Sequence, residues 1–275
     1  MSTRKTDKEL AFLYDLFIAP DWGERFAELI AKHVSIPKEG KVLYLAAGTG
    51  GHAIALHERS GGDRVEFLCL DENEECIEIA KAKAIAIRDP AQFQLARLDQ
   101  LHLPDNAYDV VIGNASLLPQ ERATRMFSEM VRVAAPGAQV AITLPTLSSF
   151  GEFFSIYWEA LHNEGLIDHE GDVERLILDL PAVSDLEQLA EDEGLTEVES
   201  WTNVEEFDFE SGEQFLTSPL VAEFLMQNWL ATLPEESRDV LMKELTSLIN
   251  EERHEAEFAL SVKATLVVGR KTHTH

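Results

Sequence analysis

The stretch KVLYLAAGTGGH, residues 41–52, runs from an apolar strand through a glycine-rich turn into a helical pattern. Val42, Leu43, Tyr44, Leu45 and Ala46 show no polar alternation, as expected of a strand in the middle of a parallel sheet covered on both faces. Gly48, Gly50 and Gly51 carry no Cβ, so the backbone can turn sharply there and bring main-chain N–H groups close to a ligand. The helix that begins near Gly50 or Gly51 points its positive end at the same spot, which makes this a nucleotide-type binding turn. A second strand, residues 64–70, ends on Asp71 about twenty residues further on, where doubly wound folds place the acid that holds a ribose.

Around this unit the chain alternates. Residues 7–33 read as helical, with Leu10, Leu13, Tyr14, Phe17 and Ile18 on one face, and Pro20 to Gly23 read as a break. The Ser60 to Asp63 turn leads into the second strand, and after that strand come a helix over 72–88 with Glu72, Glu74 and Glu75 at its start and a weaker third strand over 93–98. A fourth strand covers 108–114, a helix 119–133 and a fifth strand 138–144. Strands and helices alternating at this spacing predict a parallel sheet with right-handed crossovers.

Four blocks in this order, KVLYLAAGTG, the strand ending in Asp71, LHLPDNAYDVVIGNASLL and VRVAAPGAQVAIT, resemble the class I S-adenosylmethionine-dependent methyltransferases of the small-molecule type over residues 10–145. The resemblance implies an α/β, doubly wound, Rossmann-like sheet of seven strands whose last strand is antiparallel, with residues 195–201 and 258–269 as the sixth and seventh strands. It implies S-adenosylmethionine as cofactor, held by Tyr44, Ala46, Gly48, Gly50, Asp71, Leu98 and Asn114, with Asp71 gripping the sugar. Three positions depart from the family pattern. Tyr44 stands where an acid usually helps hold the amino group, Ala46 where a glycine is usual, and Arg97 where an acid often lies near the adenine amine, with Asp99 as a stand-in.

The 275 residues suit one methyltransferase-like domain, with a core over 34–145, 184–204 and 257–270 and helical cap insertions over 149–183 and 210–256. The first insertion carries Phe153, Phe154, Tyr157, Trp158 and Leu161 at helical spacing. Residues 184–193 read as a short helix opened by a Ser184–Glu187 capping box. Residues 211–256 read as two amphipathic helices split at Leu233–Pro234, a second cap or a dimer surface.

Net charge is −27 and unevenly spread: residues 1–149 hold 16 basic against 21 acidic side chains, residues 150–275 hold 7 against 29. Such a field repels phosphate backbones, which argues against nucleic acid as partner, and the acid excess reads as a solvated surface. The N-terminus lacks the apolar core of a signal peptide and no run is long enough to span a bilayer, so the chain reads as cytoplasmic with no membrane partner. Cys69 and Cys76, on a buried strand and the helix after it, read as reduced thiols, and two such cysteines build no metal site.

Methyl transfer from a sulfonium needs the nucleophile in line and water excluded, and a base only when the nucleophile arrives protonated. No catalytic residue is assigned. Asn114 and Ser116 are expected to line the reactive end, Asn114 being equally readable as a strand end bonding its own loop. Tyr14 and Trp22 are candidates to close over a cation, or core aromatics. Tyr157, His162 and His169 are the base candidates, and His52 either touches the ligand carboxylate or caps the turn. The leading reading is a methyltransferase acting on an unidentified small molecule with an apolar part. A catalytically inactive methyltransferase fold working as an interaction protein or homodimer is the alternative. The G-x-G-x-x-A spacing of Gly48, Gly50 and Ala53 leaves a NAD-dependent oxidoreductase as a third.

Overall fold

In the computed structural model, which describes residues 5–61, 64–252 and 258–272, the opening strand is the hub of the sheet. β1 (Gly40–Leu45) pairs in parallel with β2 (Val65–Asp71) on one side and β4 (Tyr108–Asn114) on the other. β3 (Gln92–Leu95) lies outside β2, and β5 (Ala134–Pro145) outside β4, both parallel. With β6 (Leu195–Phe209) and β7 (Phe258–Lys271) the sheet has seven strands in the order β3-β2-β1-β4-β5-β7-β6. β7 runs against both neighbours: Thr143 meets Thr265 and Thr146 meets Lys263 on one side, while Thr202 meets Thr265 and Thr196 meets Arg270 on the other. This is the doubly wound, seven-stranded α/β architecture with an antiparallel last strand that the sequence predicts.

β1 is apolar without alternation because both its faces are covered; Val42, Leu43, Tyr44 and Leu45 are all buried. On one face α5 (Gln120–Val133) lays Ala123, Met126, Phe127 and Met130 against Leu43, Leu45 and Val111. β6 is an edge strand whose solvent-facing positions include Glu197, Glu199, Glu206 and Asp208, the arrangement that discourages edge-to-edge pairing.

By contacts the chain divides into two compact units: residues 1–144, 183–202 and 265–275, and residues 145–182 and 203–264. The first holds the glycine turn. The second is built round an aromatic cluster in which Phe153 is fully buried, with the Trp229 ring 4.3 Å, the Tyr157 ring 5.6 Å and the Phe215 ring 5.6 Å away.

Several elements differ from expectation. Pro20 does not break the first helix. α1 (Asp7–Leu13) passes into a π-helical stretch (Tyr14–Gly23) and on into α2 (Glu24–His33), the wide π turns accommodating a residue without an N–H. The third strand ends at Leu95, short of Leu98. α6 (Gly151–Asn163) and α7 (Glu170–Leu178) are joined by a single 3-10 turn. No capping box opens α8 (Val183–Asp192): the helix already includes Ser184, and Glu187 instead accepts a bond from Ser200 Oγ at 2.6 Å. The first of the two helices expected over 211–256 is itself divided, into α9 (Gly212–Thr217), a π-helical stretch (Leu220–Leu225) and α10 (Met226–Trp229), because Pro219 interrupts it. The second, α11 (Glu235–Glu252), starts directly after Pro234. Gly62 and Asp63 of the expected turn, and residues 1–4 and 253–256, lie outside the described residues. Among the described residues no helix is long and apolar enough to cross a membrane.

Candidate active site

The carboxyl ends of β1, β2 and β4 bring Tyr44, Asp71 and Asn114 to one edge of the sheet, as crossover topology requires of its binding crevice. After Leu45 the backbone turns through left-handed conformations at Ala46 (φ 54°), Gly48 (φ 54°) and Gly50 (φ 79°). Ala46 holds this shape with a methyl group, at a cost of about 1–2 kcal/mol relative to glycine. At Gly50 a Cβ would come within 2.8 Å of both Ala80 and Phe93, so the helix α4 (Glu74–Ile87) and β3 leave room only for hydrogen.

Asp71 faces the turn. Its Oδ2 accepts the Gly48 N–H at 2.8 Å and its Oδ1 the Asn73 N–H at 2.9 Å. Burial raises its pKa, and these N–H donors oppose the rise.

Beside the turn lies a cleft of about 230 Å³. Tyr44, Ala46, Gly50 and Asn114 line it; Gly48, Asp71, Leu98 and Ser116 do not. Gly48 is covered by Tyr14, whose ring carbon and hydroxyl lie 2.6 and 2.7 Å from where a Cβ would stand. The Leu98 N–H is taken by Glu72 Oε1 at 3.1 Å, and Glu72 is clamped by Arg122 at 2.6 Å. Ser116 donates its N–H to Asn114 Oδ1 at 3.1 Å, so Asn114 both lines the cleft and bonds its own loop. Asp99, the proposed stand-in near the adenine, is engaged by the Arg97 guanidinium at 3.1 Å, which pulls against the burial of its carboxyl and leaves its pKa lowered.

Tyr44, in place of an acid, forms a neutral relay. Burial pushes its pKa well up, and the Asn114 side chain hydrogen-bonds its oxygen. The phenol meets His52 Nδ1 at 2.9 Å. Burial lowers the His52 pKa to about 4, so the ring is neutral near pH 7. The other ring nitrogen, Nε2, is buried and has no hydrogen-bond partner among the described residues. An unsatisfied buried nitrogen at a cleft wall fits a polar ligand.

Opposite stands a charged group that the sequence did not reveal. Asp15, from the π-helical stretch, accepts from Thr49 Oγ1 at 2.5 Å and from Lys83 Nζ of α4, and Lys83 Nζ lies 3.3 Å from Thr49 Oγ1. All three line the cleft. Trp22 does not; it packs on Phe26 with ring centres 5.0 Å apart. The base candidates lie in the other unit: Tyr157 is fully buried with its hydroxyl on the Trp229 carbonyl at 3.4 Å, His162 is exposed beside Glu170, and His169 pairs with Asp172 at 3.0 Å. No cluster of three or more metal-ligating side chains occurs among the described residues.

Residues 42–137 match the family model of a methyltransferase domain. Demethylmenaquinone methyltransferase of Thermus thermophilus is 31% identical over 144 residues, which make up 50% of this chain and 61% of that protein. The match thus spans less than two thirds of this curated relative. Among solved structures, the YcgJ protein of Bacillus subtilis superposes with a TM-score of 0.59 at 14% identity, over 91% of this chain and 100% of that one. Phosphoethanolamine N-methyltransferase 2 of Haemonchus contortus, solved with S-adenosylhomocysteine, superposes with a TM-score of 0.57 at 16% identity, over 99% of this chain and 59% of that one.

Proposed function

We propose, from the premise that this chain belongs to the class I S-adenosylmethionine-dependent methyltransferases, that it transfers a methyl group to a small molecule with an apolar part. The observation that carries the reading is the left-handed glycine turn with the Asp71 carboxylate bonded to Gly48 N–H, set beside a cleft that contains an unpartnered buried nitrogen on His52. When bound, S-adenosylmethionine supplies an electrophilic sulfonium methyl. The chain's part is to hold and orient: Tyr44, Ala46, Gly50 and Asn114 form the wall, and Asp71 fixes the turn through the Gly48 N–H. Catalysis by positioning and exclusion of water requires a general base only when the acceptor arrives protonated.

A cavity of about 420 Å³ within the second unit is lined by Phe154, Trp158, Val173 and Ile177 with Ser148 and Ser155 among them. The name of the Thermus relative agrees with an apolar acceptor. The Tyr14 ring over Gly48 favours a fold without activity, because it covers the glycine bonded to Asp71, as do the departures at Tyr44, Ala46 and Arg97. Calorimetric titration with S-adenosylmethionine and S-adenosylhomocysteine separates the two. Micromolar binding of either supports the enzyme, and no heat and no thermal shift with both ligands leaves the inactive fold.

A further inference from the structure

The cofactor assigned to the cleft ends in a zwitterion, an α-ammonium and an α-carboxylate on one carbon. A site for it needs both signs of charge close together. The wall at position 44 supplies neither, since Tyr44 and His52 are both neutral near pH 7. Among the described residues that line the cleft, opposite charges meet only at Asp15 and Lys83. These side chains are 20% and 36% exposed, half-shielded from water yet reachable from it. Glu24, the other acid at the cleft, is exposed and correspondingly screened.

The pair belongs to the cleft and not to a helix surface. Its members come from separate elements 68 residues apart, and both bond Thr49, the residue between the two glycines of the turn. Thr49 is itself buried, so its hydroxyl fixes the pair relative to the turn. His52, whose Nε2 is orphaned, lines the same cleft.

We propose that Asp15 and Lys83 are the receptor for the aminocarboxylate end of the cofactor, and that they satisfy one another until it arrives. The ligand carboxylate then goes to Lys83 Nζ, and the ligand ammonium goes to Asp15. The acid absent from position 44 is in this way replaced from the N-terminal helix. The inference rests on the reading of this cleft as the cofactor site.

The test compares S-adenosylhomocysteine with 5′-methylthioadenosine, which keeps the adenosine and thioether and lacks the aminocarboxylate. Calorimetry on the full chain gives the ratio of the two affinities. Lys83→Met and Asp15→Asn should each weaken S-adenosylhomocysteine about tenfold, the scale of a charge-assisted hydrogen bond, and leave 5′-methylthioadenosine unchanged. Lys83→Arg should keep the ratio. A thermal scan shows that each variant is folded, and should Lys83→Met fail it, Asp15→Asn carries the comparison. An unchanged ratio, or equal weakening of both ligands, overturns the receptor and leaves a strut between helices. A wild-type chain that binds neither ligand overturns the cofactor reading itself, and the receptor with it.

Discussion

Replacing Gly48 by alanine tests the closest contact in the site. The new Cβ would meet Tyr14 at 2.6, 2.7 and 2.9 Å, and Tyr14 supplies all three nearest atoms. The backbone there is left-handed, φ 54°, which costs about 1–2 kcal/mol for a side chain with a Cβ. Overpacking adds about 1–3 kcal/mol. Loss of freedom in the unfolded chain returns about 0.4–1 kcal/mol. The sum is a destabilisation of about 2–4 kcal/mol, read by urea unfolding. In a Tyr14→Ala background the overpacking vanishes and the backbone cost stays, so the same substitution should cost about 1 kcal/mol. The coupling energy of the cycle is therefore about 1–3 kcal/mol. Equal costs in both backgrounds, within about 0.5 kcal/mol, would refute the placement of Tyr14 on the turn.

Other outcomes follow from the same geometry. His52 has a folded pKa of about 4 against 6.5 for the free group, so its contribution is whole above 6.5 and is lost as pH falls toward 4. Between pH 6.5 and 5 this amounts to about 2 kcal/mol, and the difference between wild type and His52→Gln in denaturation series across that range should show it. Tyr44→Phe removes the group between Asn114 and His52 and strands Nδ1, which should cost about 1–3 kcal/mol in urea unfolding and weaken S-adenosylhomocysteine in calorimetry. Phe153→Ala empties the middle of the aromatic cluster and should cost about 3–5 kcal/mol, seen as loss of near-ultraviolet circular dichroism.

The sheet was readable because its signals are local. Unalternating β1, the turn after it and the β-branched run of β4 each lie within a few residues, and the order of the blocks fixes their neighbours. Asp71 was readable for the same reason, being tied to the turn by the β1–β2 register. Asp15 and Lys83 were not. They are 68 residues apart, and Asp15 reaches the cleft on a π-helical stretch whose wider turns shift its phase away from the α periodicity by which helix faces are read. Pro20 misled for a related reason, since it marks a break only if the helix around it is α. At Ser184 the local pattern of a capping box lost to a tertiary partner, because Glu187 could bond Ser200 across to β6. Leu98 shows the reverse limit: its position follows from the order of the blocks, but the claim of Glu72 on its amide follows only from the packing of α5, which brings Arg122 in.

The acidic border of β6 ties colloidal behaviour to proton concentration. An outer strand of 15 residues offers a long row of backbone groups to any passing copy, and its glutamates keep copies apart only while they are ionised. The net negative charge of the whole chain vanishes near its sequence isoelectric point, about pH 4.6, where long-range repulsion between copies is weakest. Like charges along an outer strand thus guard one side of the sheet, where backbone pairing is open to another chain.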